Sequence, residues 1–208
     1  MEFDEINTIG TKRRSEEYTE YFSDMDLTEE QKQERVSFSE DTEEVLLFLM
    51  ALFAVMIDFD NIDEEMLTET LTMQFRAVVV SYMGTTDEYI DLYIQNFAND
   101  FIRATIDNLD NEWYLSNDRA MFDSENEANT VLNYKDYLTA IASGKTQKTW
   151  ITYGDNRVRK THRRLDGKTI PIKSLFEVGD SFMRFPKDTK YFAKPSEIIG
   201  CRCSTSYS

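Results

Sequence analysis

Apolar residues recur at three- and four-residue intervals through the first two thirds of the chain, then give way to short clusters punctuated by Gly and Pro. In the first part, several small polar residues are followed three positions later by Glu or Gln. Such a pair satisfies free backbone N–H groups of a first helical turn. Thr28 with Gln31, Asp41 with Glu44, Asn61 with Glu64, Thr85 with Glu88 and Ser124 with Glu127 carry this signature and predict five helices. Gly84 and Gly144 stand where helices end. In the fourth helix Tyr89, Leu92, Tyr93, Phe97, Phe101 and Ile102 form the stripe expected to be buried, with Asp87, Asp91 and Asp100 outward. Val45–Ile57 is an unbroken apolar run of 13 residues between Glu43-Glu44 and Asp58. A membrane span needs about 20, so this run is expected to be a buried core helix and no membrane contact is expected.

The last third reads as strands and turns. Thr149–Tyr153, Lys168–Ile172 and Phe182–Phe185 are the strand candidates, set apart by Gly154, Gly167, Gly179, Pro186 and Pro195. Between the first two, Asp155–Asp166 predicts one short helix with Asp155 as N-cap and Gly167 just past its end. On it Val158, His162 and Leu165 share a face, so the chain's one histidine points inward while Arg159, Lys160, Arg163 and Arg164 spread over the remainder. The fold class expected is α+β. A mainly helical region at 27–123 precedes a small α+β domain with short strands at 124–208, and the charged, aromatic-poor stretch 1–26 is expected to be loosely ordered.

Composition supports a globular protein: 208 residues, 41% hydrophobic, only 7 Gly and 3 Pro. The net charge of −16 argues against polyanion binding, but the average hides a division. Met1–Gly144 has 9 Lys+Arg against 33 Asp+Glu, while Lys145–Ser208 has 14 against 6. The acidic part suits docking on protein, and the basic part can approach DNA. Arg159, Lys160, Arg163, Arg164 and Lys168 are the candidate contacts to DNA or to a protein partner, a solvated helix face being the simpler alternative. Asp58-Phe-Asp60-Asn61 lacks the central Gly and closing Glu of a calcium loop. The first residues lack the apolar core of a secretory signal. Cys201 and Cys203 are too close along the chain for a good mutual disulfide, which fits a reducing setting.

Three roles are open to His162. It is a buried structural imidazole held by a carboxylate or carbonyl, a zinc ligand together with Cys201, Cys203 and Asp155 or another oxygen ligand, or a general base beside a cysteine nucleophile. The structural role is the working expectation, with no catalytic residue assigned and no cofactor required; zinc is the candidate metal. Arg157 is expected to be buried beside Asp155 or the C-terminal strand as a packing charge.

The ordered series Lys148-Thr-Trp-Ile-Thr152, Asp155-Asn-Arg-Val-Arg-Lys-Thr-His162, Leu165-Asp-Gly167, Phe185-Pro-Lys-Asp188 and Cys201-Arg-Cys203 resembles the phage Mu F-type head-morphogenesis domain of minor capsid proteins. The resemblance runs from about Ser124 to Cys203 and includes Asn126-Glu127; Gly200 stands where the family usually has Asn. It implies a non-enzymatic minor head protein of the virion, in the capsid interior or at the portal vertex, and in the host cytoplasm during procapsid assembly. Its partners would be the phage portal protein and other head proteins, with non-specific DNA as a further contact. On this reading Asp155, Arg157, His162, Cys201, Arg202 and Cys203 form a structural polar cluster. The competing reading is a metal-assisted hydrolase or toxin-like phage effector that uses His162, Cys201 and Cys203.

Overall fold

A computed structural model describes residues 14–208; the expectation of loose order over the first 13 residues lies outside it. The elements are α1 (14–23), α2 (Glu29–Asp58), α3 (Glu64–Met83), α4 (Glu88–Ile106), a 3-10 turn (Glu112–Leu115), α5 (Asn117–Ala142), β1 (Gln147–Ile151), α6 (Lys160–Arg163), β2 (Thr169–Pro171), β3 (Phe176–Val178), β4 (Ser181–Met183), α7 (Pro195–Ile198) and β5 (Ser204–Tyr207). The fold is α+β. The chain divides into two compact units, one of Phe38–Ser124 and one joining the segment up to Ser37 with Glu125–Ser208. This division differs from the expected regions 27–123 and 124–208, because residues 14–37 belong with the C-terminal unit.

The helix starts show where reading polar pairs succeeds and where it slips. Thr28 and Gln31 form a reciprocal capping box, Thr28 N–H donating to Gln31 Oε1 at 3.1 Å and Gln31 N–H to Thr28 Oγ1 at 3.2 Å. Asp41, by contrast, lies inside α2. No Gly or Pro interrupts Ser37–Glu44, and the exposed Asp41 carboxylate accepts from Tyr82 Oη at 2.7 Å without leaving the helix. The caps of α3 and α4 are Asp63 and Asp87, not Asn61 and Thr85; each accepts from a backbone N–H three residues on, at 2.9 and 3.0 Å. Ser124 is interior to α5, its hydroxyl bonded back to Ala120 O at 2.7 Å.

In Phe38–Ser124 the buried stripe of α4 is Ile90, Ile94, Ala98, Phe101, Ile102 and Thr105. The expected stripe is rotated by part of a turn, and Leu92 is 60% exposed. Phe75 packs against Phe38 and Phe97, with ring centroids 6.2 and 4.8 Å apart. The run Val45–Ile57 buries one face through Leu46, Leu49, Met50 and Phe53, while Phe48 and Val55 are exposed. No helix among the described residues is long and apolar enough to cross a membrane. Arg119 closes this unit. It lies over the Phe101 ring at 4.0 Å and donates to Thr105 Oγ1 at 2.7 Å, Tyr114 O at 2.8 Å and Phe101 O at 3.2 Å, so one guanidinium ties the last turns of α4 to the 3-10 turn.

The other unit is built on an antiparallel sheet of order β2-β1-β5 and a separate β3-β4 hairpin. Its core is Trp150, Leu165, Phe176, Val178, Met183, Cys201 and Cys203. β3 and β5 were not among the strand candidates. The hairpin turns through Gly179, whose φ of 61° suits the first central position of a two-residue turn. The expected twelve-residue helix over 155–166 shrinks to Lys160–Arg163. Asp155 does not cap it but folds back on the Arg157 N–H at 3.0 Å, because Gly154-Asp155-Asn156 is a turn former in its own right. Residues 14–26 are not loose: Tyr18 and Phe22 are fully buried and Met25 nearly so.

Candidate functional site

The polar centre of the C-terminal unit is assembled from three short pieces. α6 supplies His162, α7 supplies Glu197, and the loop into β5 supplies Cys201, Arg202 and Cys203. His162 faces inward as expected and is buried, its ring meeting Trp150 edge-on at 5.4 Å. Its Nδ1 lies 3.4 Å from Cys203 Sγ and 3.5 Å from Cys201 Sγ. Its Nε2 lies 3.0 Å from Glu197 Oε2, which also accepts from Thr161 Oγ1 at 2.8 Å. Gly179 is required beside this carboxylate. A Cβ there would approach Glu197 Oε1 to 3.0 Å and Thr161 Cγ2 to 3.2 Å.

The two cysteines are free thiols, both buried. A hydrogen bond from Cys203, opposed by burial and joined by His162, holds the Cys201 thiol well below the ordinary thiol range. The same bond and burial push Cys203 upward. The Cys203 N–H also points at Cys201 Sγ, at 3.5 Å.

Asp155 and Arg202 form the second half of the cluster. The Arg202 guanidinium is bonded to Asp155 Oδ2 and stacks over Tyr153 at 3.7 Å. That hydrogen bond, with Arg202's charge, lowers the Asp155 pKa. Arg157 does not join them: its side chain is exposed, and only its backbone N–H reaches Asp155. Arg202 holds the place expected of Arg157, since the loop entering β5 presents its side chain to the Asp155 turn while the Arg157 side chain is left exposed.

A cavity of about 150 Å³ opens beside the cluster, lined by His162, Cys201 and Cys203 on one side and by Arg157, Arg159 and Arg202 on the other. Arg159 bonds the Ile199 carbonyl and is half-buried, so it is not part of a free basic face. Lys160, Arg163, Arg164 and Lys168 are exposed.

Several further residues hold the site; Asn126, Lys148 and Asp188 belong to the family-like series, whereas nothing in the sequence singles out Asn133, Arg184 or Glu197. Asn126 of α5 accepts from both the Gly200 N–H, at 3.0 Å, and the Lys187 ammonium. Asn133 donates to Pro186 O at 3.1 Å and Cys203 O at 3.4 Å, and accepts from the buried Arg35 at 3.1 Å. Asp188 receives Arg184 through Nε at 2.7 Å and Nη2 at 2.8 Å. Lys148, fully buried, donates to the Arg184 carbonyl, and burial pushes its pKa down to about 8. Glu197 has the clearest signal in retrospect, as an acidic residue four positions before Cys201 and able to reach an inward histidine.

Three comparisons bear on the chain. A family model described as Phage Mu protein F like protein matches residues 95–206, from within α4 through most of β5. An NAD(+)--arginine ADP-ribosyltransferase, EFV, of Enterococcus faecalis is 27% identical over 131 residues, covering 57% of this chain and 26% of the enzyme. The chain thus spans about a quarter of that relative's length. No solved structure matches.

Proposed function

Because the chain belongs to the Phage Mu protein F like family, whose members point to phage head morphogenesis and a place in the virion, we propose that it is a minor head protein that docks at the portal vertex during procapsid assembly. The observation that carries this reading is the use made of the family-type residues. Lys148, Asp155, His162, Asp166, Lys187, Asp188, Cys201, Arg202 and Cys203 bond one another, the side chains of Asn126 and Arg184, or the backbone. Their chemistry is spent on holding a shape, as suits a protein that works by being assembled.

The surface offered to partners is then the exposed set Lys160, Arg163, Arg164 and Lys168, which suits an acidic portal surface or the DNA that passes it. Co-expression with the cognate portal protein tests the role. The two should co-purify, and charge reversal at Arg163, Arg164 and Lys168 should weaken the complex at least tenfold. A portal that never retains the folded chain would overturn the reading. DNA contact is tested by gel shift, where retention should fall steeply between low and moderate salt.

An enzymatic reading draws on the partial likeness to the ADP-ribosyltransferase. Sequestration of both thiols and the imidazole among the core side chains favours a structural use of the cluster over a nucleophilic one.

A further inference from the structure

We infer that His162, Cys201 and Cys203 bind one zinc-class divalent ion, with Glu197 as the carboxylate that orients the histidine. The three donor atoms lie within 4.8 Å of one another, and all three residues are buried. Zinc bonds of about 2.1 Å to nitrogen and about 2.3 Å to sulfur, at tetrahedral angles, place a nitrogen and a sulfur about 3.6 Å apart. The distances here are 3.4 and 3.5 Å, both measured from the same ring nitrogen. A single ring-nitrogen lone pair accepts well from one thiol only, whereas an ion at the apex of this triangle is shared by all three donors.

Two further features belong with metal ligation. The nitrogen facing the sulfurs is Nδ1, while Nε2 is tied to Glu197 at 3.0 Å, so the carboxylate fixes the tautomer that leaves a lone pair on Nδ1. Thr161 in turn fixes Glu197, at 2.8 Å. Across the Cys-Arg-Cys segment, the Cys203 N–H supports Cys201 Sγ from behind. Soft thiolates with one imidazole select zinc or a similar borderline ion over magnesium or calcium. The adjoining cavity, lined by all three ligand residues, has room for a water molecule as fourth ligand. The ion would staple α6 to the chain entering β5.

The test uses the full chain, expressed with added zinc and purified reduced without chelator. Elemental analysis should find about one zinc per chain. Stripped anaerobically and titrated with cobalt(II), the same protein should develop thiolate-to-cobalt charge-transfer absorption with a stoichiometry of one. Glu197→Gln should keep that stoichiometry while weakening affinity about 10- to 100-fold. Cys201→Ser/Cys203→Ser should abolish the charge-transfer band. Folded wild-type protein that holds no zinc and shows no such band overturns the inference, and so does metal binding that survives the double substitution. The wild-type arm decides the matter even where the double variant fails to fold, and neither outcome bears on portal docking.

Discussion

The two units solve the problem of burial by different chemistry. Phe38–Ser124 closes on apolar stripes and on aromatic rings that meet edge-on or tilted, with polar groups used mainly as helix caps and the Arg119 clasp. The other unit takes Arg35, Lys148, His162, Lys187 and Asp188 out of water and pairs them with side chains of α5, with Glu197 and Arg184, and with backbone carbonyls. Apolar contacts are non-directional and forgive small changes of shape. A buried charge stripped of its partner is not forgiven. The residues by which the family is recognised from the sequence lie in the second kind of interior, which is why they form an ordered series and not a periodic stripe.

The contrast can be broken most directly at Asp188. Asp188→Asn keeps the shape but removes the charge that holds Arg184, and should cost about 3–5 kcal/mol. Urea unfolding followed by Trp150 fluorescence in a Trp113→Phe background measures it within the C-terminal unit, where Trp150 lies. A cost under about 1 kcal/mol would mean the pair is not the anchor it resembles.

Next comes the buried lysine. Lys148 has its pKa pushed from 10.5 to about 8 by burial, so between those values the unfolded chain binds more protons than the folded one. Stability should therefore rise with pH across that window. Lys148→Met should flatten the part of the slope that this amine supplies, as read from melting temperatures of the two proteins at matched pH values.

On the apolar side, Phe75→Leu should cost only about 1 kcal/mol, because neighbouring side chains can repack around a similar volume. Thermal unfolding by circular dichroism checks it, and a loss as large as that of Asp188→Asn would erase the distinction between the units. The smallest effect is expected at Gly200. Its φ of 64° is open to Gly and tolerated by Asn, so Gly200→Asn should shift stability by no more than about 0.5 kcal/mol. Gly200→Val should cost about 1–2 kcal/mol.

Gly and Asn are interchangeable at this position for a backbone reason, since both reach a positive φ at little cost. The sequence was legible wherever a signal is local. The Thr28–Gln31 box, the turn glycines and the inward face of His162 and Leu165 each depend on a few adjacent residues. It was illegible wherever competition or distance decides. Asn61 and Asp63 both offer a cap, and which one wins depends on where the packed face of α3 must begin. Arg157 and Arg202 are equivalent candidates for Asp155 until the fold brings residue 202 alongside. Asn133 and Glu197 look like ordinary helix polar residues, and only long-range closure gives them partners.

The discontinuity of the C-terminal unit has a consequence for the order of folding. Phe38–Ser124 is an unbroken stretch inserted into another domain, and its two ends meet, Ser39 Oγ lying 3.4 Å from Ser124 O. Once it folds, the long loop separating Ser37 from Glu125 is already closed, and the entropy of closing it is no longer charged to the outer domain. Arg35 then meets Asn133 and Asp136 across a short effective loop in place of one of about a hundred residues.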